Sequence, residues 1–297
     1  MKHIRIISAL LVLILLVGPC SALAGVLELP IDFSGGTKPL KKYESNMPEY
    51  EDPSIHVTRR SGKTTLPDGS YTFMCALRVQ IANATQLRTM SAAGFDVLNR
   101  FASAKKLSNR VNAVVAFNGD YFCGDAKRFV LRQGIVYKES MAPGQDLLLI
   151  DEDGDFHIIL ADEHPEEMDK TQIDGKKVIN ALCFGPALIR DGKVNTNHDS
   201  APTYCDPNKK NERVVFCQIG PLDYLVVTVH NRGMKLDELT DFILSLQPDV
   251  QQAYNLDGGI SSEIFFLGHR VSNTSRNAED YRNLADIVYF ASAYEPD

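Results

Sequence analysis

Asn255-Leu256-Asp257-Gly258-Gly259-Ile260-Ser261-Ser262-Glu263 runs out of one apolar stretch, Val250 to Leu256, and into another, Ile264-Phe265-Phe266-Leu267. It is a tight backbone corner that carries two carboxylates and two hydroxyls between two strands. Paired glycines let the chain take positive φ and let a ligand approach the backbone. Asp-Gly also occurs at Asp68-Gly69, Asp153-Gly154, Asp174-Gly175 and Asp191-Gly192, where it reads as an ordinary turn. The copy at 257 differs in its second Gly, its continuing polar run and the large apolar residues on both sides.

Upstream of the corner, Leu236 to Leu246 has one apolar stripe at helical spacing, Leu236, Leu239, Phe242, Ile243 and Leu246, with Asp237, Glu238 and Asp241 outward. Arg213 to Ile219 and Leu225 to His230 read as a hairpin around Gly220-Pro221, with Arg232 just beyond it. The polar loop from Asn195 to Asn211 is too long for a simple connector and is suited to covering a pocket. Further back, Val111 to Phe117 is a continuous apolar strand that delivers Asn118-Gly119-Asp120-Tyr121-Phe122 at its end, where open sheets often place ligands. Between these lies the acidic knot Asp151-Glu152-Asp153-Gly154-Asp155. Its Gly is misplaced for an EF-hand and no bidentate Glu follows, so a hairpin turn with solvated acids is expected. Met90 to Leu107 carries a helix-like pattern, and Tyr71 to Ile81 a strand-like one.

Residues 25 to 69 are rich in Pro, Gly, Lys and Glu without a clear period and read as a leader or linker. Before them, Lys2, His3 and Arg5 precede an apolar run from Ile6 to Val17, a Gly18-Pro19 break and Ala22-Leu23-Ala24. This is the pattern of a signal peptide cut after Ala24; the run is short for a membrane span. A secreted or envelope location with no stable span after cleavage follows. The domain reading is thus 1–24 signal, 25–69 leader and 70–297 folded body, a strand-rich mixed α/β (α+β) domain with a mixed sheet and at least two packed helices.

Removing residues 1–24 takes away Lys2 and Arg5 and no acid, so 31 − 2 = 29 basic residues face 38 acidic ones, a balance of −9. Such a chain is no natural nucleic-acid binder. Export permits disulfides among Cys75, Cys123, Cys183, Cys205 and Cys217, with Cys205–Cys217 the first expected pair and Cys75 a buried apolar residue. No C-x-x-C occurs, and no cofactor or metal is called for. Asn83-Ala84-Thr85 and Asn273-Thr274-Ser275 are glycosylation sequons.

The order of strand-Asn118-Gly119-Asp120-Tyr121-Phe122, then Gly185-Pro186-Ala187-Leu188-Ile189-Arg190-Asp191-Gly192, then the helix after Gly233-Met234, then Asn255-Leu256-Asp257-Gly258-Gly259, resembles the phosphodiester glycosidase family from about Tyr71 to the end. Against that family's usual pattern, Asp120 and Ile260 stand at glycine positions, Arg213-Val214-Val215 replaces an Arg-Thr-Ala-like segment, and His230-Asn231-Arg232 replaces Asp-Gly-Arg. Arg282-Asn283-Leu284-Ala285-Asp286 keeps the C-terminal motif.

The resemblance implies a hydrolase that breaks the bond between a sugar's anomeric carbon and phosphate in an envelope or extracellular glycan. Phosphate leaves with delocalised charge, so the need for a strong general acid falls, while cations and N–H donors must hold the phosphate and a carboxylate must serve the anomeric carbon or its water. Asp257 is the expected catalytic carboxylate and Glu263 its rival. Asn118, Gly119 and Asp120 are expected to meet sugar hydroxyls or water from the neighbouring strand end, with Asp120 a third catalytic candidate that orients the water. Gly258, Gly259, Ser261 and Ser262 would offer amides and hydroxyls, and Arg213, Arg282, His230 and Arg232 would face the phosphate. The competing readings are a non-catalytic carbohydrate-binding envelope protein and a hydrolase of a teichoic acid-like polymer, the latter disfavoured by the acidic balance.

Overall fold

The strand that feeds the central corner, Gln252–Leu256, lies inside an eight-stranded sheet. The computed structural model describes residues 25–124, 128–140, 144–163, 168–272 and 280–296; the signal segment at 1–24 and the sequon at 273–275 lie outside the described residues. Across that first sheet the order is Glu49–Asp52, Ile55–Thr65, Tyr71–Ile81, Asp223–Met234, Asn211–Gly220, Gln252–Leu256, Ala187–Arg190 and Lys193–Val194. A second sheet runs Ile135–Lys138, Val130–Arg132, Lys176–Leu182, Leu147–Asp151 and Phe156–Ile159, with Gln172–Ile173 paired to Lys176–Leu182. A third runs His269–Arg270, Ile264–Phe266, Ala113–Asn118, Asp286–Ala291 and Leu87–Ser91.

Alternation explains why the strand sequences are apolar throughout. Val214 and Phe216 face a core shared by all three sheets, with Leu77, Phe117, Leu148, Phe156 and Tyr254. Val215 and Cys217 face the other way, onto the helix Leu236–Leu246 (α2). Each buries one face of the same strand because successive side chains point to opposite sides. Leu236, Leu239 and Ile243 of that helix are fully buried, each contributing roughly 1.5–3 kcal/mol over an exposed position. The shorter helix, Ala104–Arg110 (α1), packs Ala104 and Leu107 on the outer face of the third sheet, against Ala113, Ala116 and Ile287.

The strand-rich fold with two packed helices stands; the mixed sheet does not. Every pairing among the described residues is antiparallel. The stretch read as a leader is largely built into the fold. Ile55–Thr65 pairs along its whole length with Tyr71–Ile81, Tyr50, Ile55 and Val57 are core, and Leu27 N donates to Ala293 O. Only its inner half is apolar, while Arg59 to Thr65 is a polar outer stretch, so the average composition hid the alternation. The helix expected over Met90 to Leu107 is instead a strand, Leu87–Ser91, a turn and then α1, which Ser103 caps by accepting from Lys106 N at 3.3 Å. Gly94 and Asn99, both at positive φ, interrupt any helix there.

Cys205 and Cys217 are free thiols, as are Cys75, Cys123 and Cys183. The expected pair cannot meet, because Cys217 sits in the helix-side core and Cys205 in the core on the opposite side of the sheet. The acidic knot is a hairpin turn, but its acids are not simply solvated: Lys176 Nζ lies 3.2, 2.9 and 3.4 Å from Asp151, Asp153 and Asp155.

Candidate active site

The corner after Leu256 carries the chain from the first sheet to the third. Ile264–Phe266 pairs with Ala113–Asn118, so Asp257 to Glu263 spans the place where two sheets present strand ends. Asn118 ties down both ends of this span: its Nδ2 donates to Asp257 O at 2.7 Å and its Oδ1 accepts from Glu263 N at 3.2 Å. Gly259 takes φ +61°, and a Cβ at Gly258 would lie 2.6 Å from Glu212 O. The glycine pair is thus required by the corner itself.

A cavity of about 280 Å³ opens over the corner, lined by Asp257, Gly258, Gly259, Ile260 and Arg282 together with Tyr121, Phe184, Tyr204, Cys205, Asn211 and Arg213. A smaller one adjoins it and shares Tyr121, Asp257 and Arg282, adding Asn118, Gly119, Ser261 and Asp286. Burial raises the Asp257 carboxyl above its ordinary value; the nearby Ser261 hydroxyl, Arg282 and the Gly258 N–H oppose this without cancelling it. The Ser261 and Ser262 hydroxyls are buried and make no fully formed hydrogen bond to a described residue. The Arg282 side chain is exposed and forms no hydrogen bond or ion pair with a described residue, while its N–H donates to Ile260 O at 3.2 Å.

Other expected site residues are engaged elsewhere. Glu263 is buried, lines neither cavity and is ion-paired with Arg270 at 2.6 Å. Asp120 is sealed in a buried cluster: Arg132 Nη2 lies 2.7 Å from it and 3.6 Å from Asp286, and its second oxygen accepts from Cys183 N at 2.8 Å. Burial and the neighbouring Asp120 push Asp286 well up, with Arg132 opposing. Gly119 lets the chain pass directly over Asp286, whose carboxylate a Cβ there would strike. Arg213 lines the larger cavity, but its guanidinium is taken up by Cys205 Sγ, the carbonyls of Asp206 and Lys209 and, at 3.4 Å, Met234 O. His230 is buried within Asp223–Met234 and Arg232 is exposed near the end of that strand; neither lines either of the two cavities at the corner.

Sequence reasoning passed over Tyr121, Phe184, Tyr204, Cys205 and Asn211. Tyr204, Cys205 and Asn211 come from the long polar loop, whose length was the available signal. Arg128, also unassigned, holds that loop to the cluster by donating to Tyr204 Oη and to the carbonyls of Asp120 and Cys183.

A larger cavity, about 470 Å³, lies elsewhere among Asp146, Asp162, Asn195 and Asp199. Among the described residues its lining has three acids and no cation. Asp146 is already saturated by Ala161 N, Ala187 N and Ser200 Oγ. An anion would be repelled there, so size alone does not mark the site. Among the described residues, no group of three His, Cys, Asp or Glu is arranged to hold a metal ion, and no helix is long and apolar enough to cross a membrane.

Three comparisons bear on this arrangement. In fold, the chain is similar to the catalytic domain of zebrafish N-acetylglucosamine-1-phosphodiester alpha-N-acetylglucosaminidase, auto-inhibited by its pro-peptide, with TM-score 0.64, 15% identity, 84% of this chain and 86% of that one covered. It is also similar to a hypothetical protein from Synechocystis, with TM-score 0.52, 12% identity and coverage of 80% and 62%. At these identities the likeness is one of fold alone. No curated protein sequence matches the chain significantly. The family model for phosphodiester glycosidases matches residues 111–291, a span that holds every cavity-lining residue named above for the two cavities at the corner. The chain belongs to the phosphodiester glycosidase family.

Proposed function

We propose that the protein is an exported hydrolase that breaks the C1–O bond of a glycosyl phosphodiester, with an N-acetylglucosamine 1-phosphodiester as the first substrate to try. The observation that carries this reading is the shared lining of one cavity by a partly buried carboxylate of suppressed acidity, Asp257, and a guanidinium, Arg282, that forms no ion pair with a described residue. Arg282 would take the phosphate. Asp257, at the opposite part of the bond, would stabilise positive charge on the anomeric carbon and accept a proton from the attacking water. In balance, water's oxygen bonds to C1 as the C1–O(phosphate) bond breaks, giving free sugar and a phosphate monoester. Since the monoester is a good leaving group, a single carboxylate among the described residues that line the cavity of about 280 Å³ is compatible with the chemistry.

The altered motif position Asp120 does not favour a dead, purely binding protein. Its charge is met by Arg132 in a buried cluster that supports the strand end, so the substitution is accommodated structurally and leaves Asp257 in place. Release of free N-acetylglucosamine from an N-acetylglucosamine 1-phospho-6-mannose diester tests the reading. Turnover supports it, and a folded protein that binds the diester without releasing sugar favours the binding-protein alternative.

Asp257 must be ionised to act, and burial keeps its proton on to higher pH than the ordinary 3.8. The acid limb of kcat/KM against pH is therefore expected to have its midpoint above 3.8, with activity rising as pH rises through it. Full activity persisting below that value would remove Asp257 from this role.

A further inference from the structure

Two exposed apolar side chains flank Arg282 at the mouth of the site. Ala102 and Leu284 bridge each other in both directions, at 3.0 and 2.8 Å, which sets Phe101 against the 282–286 segment from one side. From the other side Ile260 is fixed by the hydrogen bond from Arg282 N to its carbonyl. Phe101 is 43% exposed and Ile260 40%, and Tyr204, on the wall of the larger cavity, is 57% exposed. Phe101 lines the smaller cavity, Ile260 and Tyr204 the larger, and both cavities contain Asp257 and Arg282. Val97 and Leu98, in the loop that leads to Phe101, are exposed as well.

Single apolar residues on a surface are ordinary, whereas a group of them around one site marks a binding surface. A polar alcohol on the phosphate would leave these side chains in water. A cation set among them, in no ion pair with a described residue, complements an amphiphile with an anionic head. We infer that the second ester of the substrate's phosphate is to a long-chain, lipid-like alcohol: Arg282 meets the phosphate, and Phe101, Ile260 and Tyr204 cover the first methylenes of the chain. The inference rests on the glycosyl phosphodiester reading and names its leaving group, an alkyl monophosphate.

Two substrates below their micellar concentrations test this: the decyl and the methyl phosphodiesters of N-acetylglucosamine 1-phosphate. Each methylene taken out of water is worth roughly fourfold. The decyl diester is thus expected to show kcat/KM at least about tenfold above the methyl diester, and the Phe101→Ser/Ile260→Ser protein to bring that ratio toward one. Equal kcat/KM for the two diesters, or an unchanged ratio in the double variant, overturns the inference and leaves the proposed reaction standing. Should neither diester be cleaved, the reaction itself fails. Titration of decyl phosphate against methyl phosphate then reads the surface without turnover: tighter decyl binding that the double variant abolishes supports the apolar rim, and equal binding overturns it.

Discussion

Asp257→Asn is expected to lower kcat on a glycosyl phosphodiester by roughly a hundred- to ten-thousandfold, the range for loss of a positioned acid–base group, while the protein stays folded. The substitution keeps shape and removes charge. Asp257's backbone carbonyl would still accept from Asn118 Nδ2 at 2.7 Å, so the corner should hold. The sign of the stability change also follows. Burial raises the native carboxyl's pKa above its ordinary 3.8, so ionised Asp257 opposes folding above that raised value. Removing the charge should leave Tm at pH 7 equal or slightly higher. Rate assays beside thermal unfolding separate the two effects, and near-normal turnover in the variant would contradict the assignment.

Arg132→Leu is expected to be the most destabilising single change near the site. Arg132 is fully buried, lies 2.7 Å from Asp120 and 3.6 Å from Asp286, and donates to the Leu131 and Ala181 carbonyls. Removing it leaves the buried Asp120 carboxylate without its cation, a loss on the order of 3–5 kcal/mol near neutral pH. The pH dependence distinguishes this cause from lost packing. Asp286 has a native pKa raised from 3.8, so its contribution to stability is fully present below 3.8 and declines as pH rises through the native value. Without Arg132 the Asp286 carboxyl holds its proton to higher pH still. Denaturant unfolding should therefore show a deficit that widens as pH rises through about 8, where Asp286 ionises in the native protein; a deficit independent of pH would assign the loss to packing instead.

The elements legible in the sequence are those whose pattern is set locally. Leu236–Leu246 has one stripe and one polar face, and it is the helix its period indicates. The hairpin around Gly220-Pro221 and the strand ending at Asn118 were likewise marked by turn residues beside continuous apolar runs. What escaped depends on distant partners. Phe95 is buried against Phe33 and Phe122 rather than along a helix, so its apolar spacing suggested the wrong element. Arg213 and Arg282 look alike as cations before a strand. The first is absorbed by carbonyls of the 205–209 loop and Met234, the second faces the cavity, and only the tertiary fold decides between them. Asp120 and Asp257 are both carboxylates beside a glycine at a strand end, yet Arg132 neutralises one and no cation makes an ion pair with the other among the described residues.

The measurement that goes most directly to the proposed chemistry is hydrolysis of an N-acetylglucosamine 1-phosphodiester in water enriched in oxygen-18, with mass analysis of both products. Attack at the anomeric carbon is expected to place the label in the released sugar and leave the phosphate monoester unlabelled. Label in the phosphate would mean that the P–O bond breaks, and that the site around Asp257 and Arg282 works as a phosphodiesterase rather than a glycosidase.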